Sequence, residues 1–413
     1  MEPDLQKGKR ADEFCEELAR RCEELRRQGL WRELRRVDSE QSSRIIIGGK
    51  PCINFSSNDY LGLAAHPLLK EAAIKAVEKY GVGSGASRLI CGSLAPHHLL
   101  EERIAQLKGV EAALSFSSGY LTAIGAICSI VGNDDIVLLD RLVHACLIDA
   151  AKLSGATLRV FRHNDTDHLE SILKRLRNRT GTRTSKKRVL IVTESVFSMD
   201  GDVAPLKEIV ELKEKYGAWL MVDEAHATGL FGEDRAGVIS AYGLNELVEV
   251  QMGTLGKAIG SAGGFICGKK TLIDYLINRA RSFIFTTAPL PAASAAAAEG
   301  IKIIVSNQGE TRLGILRNLI LQFKNSSIGE RFSLNKAESA IFPIILGTNE
   351  LATGVAAYLI KNGYYIPAIR FPTVPKNSAR LRITLTANHT PEEVRLLALA
   401  LESALQQFKD LLN

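Results

Sequence analysis

Asp223 directly follows the apolar run Trp219-Leu-Met-Val222, so a carboxylate emerges where a strand would end, and an acid in such a place wants a cationic partner. His226, three residues on, can reach the same ligand from the next turn. Lys257 lies in Thr254-Leu-Gly256-Lys257-Ala-Ile-Gly260-Ser-Ala-Gly263-Gly264, a strand exit crowded with small residues that let backbone approach a planar ligand. In low-dielectric surroundings a lysine gives up its proton more readily and can attack a carbonyl carbon to form a Schiff base. Ser117-Ser118-Gly119-Tyr120 closes the run Ala112 to Phe116 and opens an apolar helix, so its N–H groups and hydroxyls form an anion seat, with Thr254 as a second contributor. His144, shortly after the run Ile136 to Leu139, is placed to lie over the face of a ring.

Singly, each has a plainer reading: Asp223 and His226 as caps, His144 as a satisfied core histidine, Lys257 as a solvated turn residue. Jointly, an amine, an acid to keep a pyridine nitrogen protonated, an imidazole near a phenolic oxygen and a phosphate seat describe a pyridoxal 5'-phosphate site. Three look-alikes fall away. Gly81-Val-Gly83-Ser-Gly85-Ala86 fits a dinucleotide fingerprint, but Leu68 to Tyr80 before it reads as helix where that loop needs a strand. Asp223-Glu224-Ala225-His226 spells the acidic box of a helicase-type ATPase, yet no phosphate loop of the form G-x-x-x-x-G-K-[ST] precedes it. His163-Asn-Asp165-Thr-Asp167-His168 offers metal-binding atoms, but reads as a polar turn capping the helix that follows, and no metal is expected.

The elements that must position these residues are apolar runs separated by helical stretches such as Leu206 to Tyr216. Strands are expected at Ala112–Phe116, Ile136–Leu139, Leu158–Phe161, Val189–Thr193, Trp219–Val222, Val248–Met252 and Gly264–Cys267. Strands apolar throughout and spaced by crossover helices mean an α/β fold, a mostly parallel sheet covered by helices on both faces, with ligands at its carboxyl edge. Upstream, residues 11–37 read as an amphipathic helix carrying Phe14, Leu18, Cys22, Leu25 and Leu34, followed by short strands at Ile45–Ile47 and Cys52–Phe55. From about Pro289 an Ala-rich helix, a long helix and strands at Ala340–Leu346 and Arg380–Leu385 suggest a smaller C-terminal α+β domain. The expected division is 1–50 for the N-terminal helix and strands, 51–288 for the large cofactor domain and 289–413 for the small one. Lys174 to Arg188, with eight basic residues and no acid, reads as an exposed loop.

Composition limits the alternatives. At 413 residues, 46% hydrophobic and 24% charged, the chain can bury a large core and is no disordered tail. Fifty-two basic against 46 acidic residues leave +6, which suits anionic small molecules without marking a nucleic-acid binder. Seven cysteines, an odd number with no CxxC pair, indicate a reducing, cytoplasmic setting. The apolar run Ala123 to Val131 is about half of the ~20 residues a membrane span needs, and no signal peptide opens the chain, so no membrane is expected.

The sequence resembles the α-oxoamine synthases, pyridoxal phosphate enzymes of fold type I (aspartate-aminotransferase-like) that condense an amino acid with an acyl thioester and expel carbon dioxide. The resemblance rests on Asn54-Phe-Ser-Ser-Asn58-Asp-Tyr60-Leu-Gly, Gly83-Ser-Gly85-Ala-Ser-Arg88-Leu-Ile-Cys-Gly92, His97 with Leu100-Glu101, Ser117 to Tyr120, His144-Ala, Thr193-Glu194-Ser-Val-Phe-Ser198-Met-Asp-Gly201, Val222 to His226 and Thr254 to Lys257. Ala86 stands where the family often has Gly. The stretch Ala368-Ile-Arg370-Phe-Pro372-Thr373-Val-Pro375 with Ala379-Arg380-Leu-Arg382 is most like the biotin-pathway branch, which joins L-alanine to a pimeloyl thioester on coenzyme A or an acyl carrier protein to give 8-amino-7-oxononanoate. Ile90-Cys91-Gly92 is shared with the branch that uses glycine and acetyl-CoA.

By position, the resemblance implies that Lys257 carries the cofactor and removes the α-proton, His144 stacks on the ring and Asp223 pairs with its nitrogen. His226 and Ser198 would contact the phenolic oxygen, and Gly119, Tyr120 and Thr254 the phosphate. Arg382, with Asn58, would clamp the amino-acid carboxylate, and Arg32 and Thr373 would contact substrate, Arg32 on the acyl side. A homodimer is implied, with a hydroxyl near Phe285-Thr286-Thr287 reaching the neighbour's phosphate. The competing reading from another class is a non-catalytic binding module that keeps the fold.

Overall fold

The computed structural model describes residues 9–179 and 187–408. Its strands are β1 (Arg44–Ile47), β2 (Lys50–Asn54), β3 (Ala112–Phe116), β4 (Ile136–Asp140), β5 (Thr157–Phe161), β6 (Val189–Glu194), β7 (Trp219–Asp223), β8 (Val250–Thr254), β9 (Gly264–Gly268), β10 (Ile341–Gly347), β11 (Tyr364–Tyr365), β12 (Ala368–Ile369) and β13 (Ala379–Thr384). Seven of them form the central sheet in the order β3-β9-β8-β7-β6-β4-β5. Only β9 runs against its neighbours, pairing antiparallel with both β3 and β8, while β8, β7, β6, β4 and β5 pair in parallel. Six strands therefore point the same way, and their carboxyl ends line one edge. This is the α/β arrangement that the apolar runs predict, with strand ends displaced by at most two residues.

The inner strands are buried on both sides because helices cover both faces. Every residue of β4 is buried, and Leu190, Ile191 and Val192 of β6 are wholly so. At roughly 1.5–3 kcal/mol per buried aliphatic side chain, these strands anchor the sheet. The covering helices that the crossovers supply include Gly119–Ile130, Ala145–Leu153, Thr166–Arg179 and Leu206–Tyr216. A smaller part is built around the antiparallel sheet β10-β13-β12, in which all six residues of β13 are buried. A third sheet, β1-β2-β11, pairs β2 in parallel with β11, so residues from the two ends of the chain share one ladder.

Two expectations are corrected. The N-terminal helix spans Lys9–Arg27 and stops ten residues short of Val37, because Gly29 takes a left-handed φ of 65° that closes the last turn, and residues 30–36 form no regular element. Its apolar stripe faces outward, with Phe14 63%, Leu18 42% and Leu25 41% exposed, and Leu34 lies beyond the helix. The basic segment is not a loop throughout either. Residues through Arg179 continue the helix that starts at Thr166, where Lys174 pairs with Glu170 at 2.8 Å. Arg188, just ahead of β6, pairs with Asp135 at 2.6 Å, and residues 180–186 lie outside the described residues.

Candidate active site

The carboxyl edge of the sheet delivers the expected residues to one crevice. Asp223 ends β7, Lys257 follows β8 and His144 follows β4. Lys257 Nζ stands 2.6 Å from His226 Nε2, and His226 Nδ1 stands 2.6 Å from the Tyr60 hydroxyl. Burial drives the Lys257 pKa down to about 8, although the negative charges of Asp223 and Glu194 pull the other way. His226 is held neutral, well below the ordinary histidine value, by burial and then by the cations Lys257 and Arg382. A neutral ring has one N–H, so an ammonium on Lys257 donates to Nε2 while Nδ1–H donates to the Tyr60 oxygen.

The substrate-facing groups join the same network. Arg382, on β13, is buried, and it donates through Nη1 to Asn58 Oδ1 at 3.1 Å, through Nη2 to the Tyr60 oxygen at 3.4 Å, and through Nε to the carbonyl of Ser198. Three of its five N–H donors are thereby engaged by described residues, which leaves two for an anion. Asn58 and Tyr60 come from a turn held by buried Asp59, whose carboxylate accepts the N–H groups of Leu63 at 2.7 Å and Ala64 at 3.1 Å. Arg32 and Thr373 form a separate pair, with Arg32 Nη2 donating to Thr373 Oγ1 at 3.3 Å. They line a cavity of about 530 Å³ together with Trp31, Arg35, Ile360 and Arg370.

Two members were not singled out by the sequence. Tyr60 lies within the Asn54 to Gly62 motif, but nothing in the motif says that its hydroxyl meets His226. Glu194 ends β6 opposite Asp223 in the strand register, and its carboxyl accepts the backbone N–H of His144. The signal that marks Asp223, an acid closing an apolar strand, marks Glu194 equally. Burial first, and the neighbouring Asp223 charge second, raise the Glu194 pKa to about 8. Glu194 thus holds a proton more readily than an ordinary carboxyl, which eases the burial of two acids side by side.

The arrangement fits pyridoxal phosphate. Asp223 spends Oδ1 on the Ala225 N–H at 2.9 Å, and among the described residues no hydrogen bond reaches Oδ2, which leaves it for a pyridine N–H. His144 caps the helix Ala145–Leu153 through Nδ1, which accepts the Cys146 N–H at 3.2 Å, while its ring stays exposed. A Cβ added to Gly119 would stand 3.9 Å from Thr254 Oγ1, so the first turn of the helix Gly119–Ile130 and the exit of β8 face each other, as a phosphate seat requires. Ser118 caps that helix by accepting the Leu121 N–H at 3.2 Å. The Tyr120 phenol donates to Asp149 at 2.7 Å, so its peptide N–H is the group that remains for an anion.

Known proteins match along this same framework. The family model for class I and II aminotransferases matches residues 50–401. An 8-amino-7-oxononanoate synthase of Geotalea daltonii is 46% identical over 382 residues, 92% of this chain and 94% of that protein. One of Thermoanaerobacter pseudethanolicus is 41% identical over 392 residues, 95% of each. Among solved structures, a serine palmitoyltransferase of S. paucimobilis with a bound PLP–myriocin aldimine superposes with a TM-score of 0.85 at 28% identity, covering 94% of this chain and 97% of that one. An 8-amino-7-oxononanoate synthase of Francisella tularensis gives a TM-score of 0.72 at 26% identity, covering 86% and 98%. With the lysine, acid and imidazoles in one crevice and relatives that match from the first strands to the last helix, the chain belongs to the class I and II aminotransferase family, in its α-oxoamine synthase branch.

Proposed function

We propose that this pyridoxal phosphate enzyme joins L-alanine to a pimeloyl thioester, releasing carbon dioxide and free thiol and leaving 8-amino-7-oxononanoate, as a cytoplasmic acyltransferase of biotin biosynthesis. The observation that carries the proposal is a half-buried amine and an anion-clamping guanidinium tied into one network, Lys257 to His226 to Tyr60 to Arg382. Bound pyridoxal phosphate supplies a pyridinium that draws electrons from the carbon beside the amino group. We assign Asp223 to its nitrogen, His144 to its face, Ser198 and His226 to its phenolic oxygen, and Gly119, Tyr120 and Thr254 to its phosphate.

The protein's own groups then divide the work. Lys257, poised near neutrality, takes the α-proton and returns it. Neutral His226 receives the Lys257 ammonium as a hydrogen-bond donor and keeps the amine directed into the crevice. Arg382 fixes the amino-acid carboxylate in a planar fork, with Asn58 holding the guanidinium in register. The acyl side falls to the cavity of Arg32 and Thr373, whose three further cationic or aromatic walls, Trp31, Arg35 and Arg370, suit the distal carboxylate of a pimeloyl chain. The thioester carrier is coenzyme A or an acyl carrier protein.

We also propose a homodimer, which the exposed apolar side chains Val82, Ile90 and Phe285, 72%, 79% and 70% exposed, support. They sit on two loops joined by the Ala288 N–H to Ala86 carbonyl bond at 3.0 Å, and such a patch is usually covered. Among the described residues no helix is long and apolar enough to cross a membrane.

The deciding assay measures thiol release from pimeloyl-CoA and a pimeloyl carrier protein with alanine, against acetyl-CoA with glycine and a long-chain acyl-CoA with serine. Alanine with pimeloyl thioester is expected to give the highest kcat/KM, and faster turnover of either other pair overturns the substrate assignment. A second prediction concerns the clamp. Arg382→Lys should raise the KM for alanine roughly 10- to 200-fold, the value of about 1.4–3 kcal/mol of lost charge-assisted bonding, with a smaller effect on the thioester KM. Equal changes in both constants would show that Arg382 does not hold the amino acid.

A further inference from the structure

His163, which follows β5, takes no part in the chemistry above, yet it joins the two loops that carry His144 and Ser198. Its Nδ1 lies 2.9 Å from Asp140 Oδ1, and its Nε2 lies 2.7 Å from Asp202 Oδ2. Asp140 ends β4, four residues before His144, and Asp202 stands four residues after Ser198. Both partners of the ring are carboxylates, which only accept, so both ring nitrogens carry hydrogen and the ring is an imidazolium. Neighbouring bonds tighten the junction. Asp140 also accepts the N–H of Leu142 and of Asn164, each at 2.8 Å, and Asp202 also accepts from Asn164 Nδ2 at 2.8 Å. The ring meets the buried Phe197 edge-on, with centroids 4.4 Å apart, and Phe197 directly precedes Ser198.

We propose that His163 is a positioning residue for the cofactor: a charged rivet that sets the separation between the loop of His144 and the loop of Ser198, and so the gap in which the pyridine ring is held. The proposal rests on the cofactor assignment above. A built-in control exists at the other end of the same two strands. Arg188, ahead of β6, donates to Asp135, ahead of β4, through Nη2 at 2.6 Å and Nε at 3.0 Å. That pair also ties β4 to β6 by charge, but on the edge away from the crevice.

The test compares holoenzymes of wild type, His163→Gln, Asp202→Asn and Arg188→Ala. Retention of pyridoxal phosphate is measured by visible absorbance after dialysis at falling concentration, ring orientation by visible circular dichroism, and stability by thermal unfolding. His163→Gln should weaken retention about tenfold and reduce the dichroic signal, the loss of roughly one charge-assisted bond. Asp202→Asn should shift both in the same direction by less. Arg188→Ala should lower the melting temperature while leaving retention and dichroism at the wild-type values. Wild-type retention and dichroism in both His163→Gln and Asp202→Asn, or equal loosening in Arg188→Ala, overturns the proposal. If wild type itself binds no pyridoxal phosphate, the cofactor assignment fails instead, and the two failures are told apart by that one sample.

Discussion

Lys257→Ala is expected to abolish the visible absorbance of the bound cofactor and to lower turnover by at least ~10³-fold, within the range for loss of a positioned acid–base group. Lys257→Arg should fall as far, because a guanidinium keeps the charge but offers neither a nucleophilic amine nor a base at working pH. Folding should be spared in both, since the side chain is only half-buried and among the described residues makes one side-chain hydrogen bond, to His226. The amine also carries a pH signature. Burial disfavours its ammonium form and lowers its pKa from the ordinary 10.5 to about 8, so reactivity of the cofactor-free enzyme toward a carbonyl reagent should rise through about pH 8. Labelling located by peptide mapping checks this, with exposed lysines reacting at higher pH. More than a tenth of wild-type turnover in Lys257→Ala, or a Lys257 that labels only near pH 10, would sink the assignment of the nucleophile.

Much of this crevice could be read from the chain because its parts sit where secondary structure ends. Asp223 and Lys257 are visible in sequence since an acid or a lysine at the close of an apolar strand has few structural uses. Tyr60 was not visible in that way. It reaches His226 across 166 positions of sequence, through a turn whose shape is set by Asp59 and buried Leu61 and Leu63, and such a contact is a product of packing. Glu194 carried the same signal as Asp223 and could have been found by it. In the His163 run, Asp165 caps the next helix by accepting the His168 N–H at 2.7 Å, as expected, while the contacts of His163 with Asp140 and Asp202, 23 and 39 positions away, are again products of packing. At the N-terminus, spacing alone extended a helix past Gly29, where a single left-handed residue ended it.

Lys108→Met is expected to cost about 3–5 kcal/mol of unfolding free energy, the range for breaking a buried ion pair from one side. Lys108 and Glu224 meet at 2.7 Å with 1% and 0% of their side chains exposed. All three ammonium hydrogens have acceptors: Glu224 Oε2, Thr228 Oγ1 at 2.8 Å and the carbonyl of Ala236. Glu224 Oε1 accepts the Ile239 N–H at 2.9 Å, and Gly237 must be a glycine there, since a Cβ would stand 2.3 Å from Glu224 Oε2. Methionine nearly fills the space of the lysine stem but leaves the carboxylate buried with one hydrogen bond, so the penalty is electrostatic and not a cavity. The double variant Lys108→Met with Glu224→Gln should recover a large part of the loss, because no charge is then stranded. Glu224 adjoins Asp223, and the Thr228 and Ala236 contacts clasp the loop between them, so the single variant should also hold pyridoxal phosphate more weakly than wild type. Urea unfolding of the three proteins decides the matter: a single variant that loses under about 1 kcal/mol, or a double variant no more stable than the single, would mean that the ion pair does not hold the floor of the crevice in place.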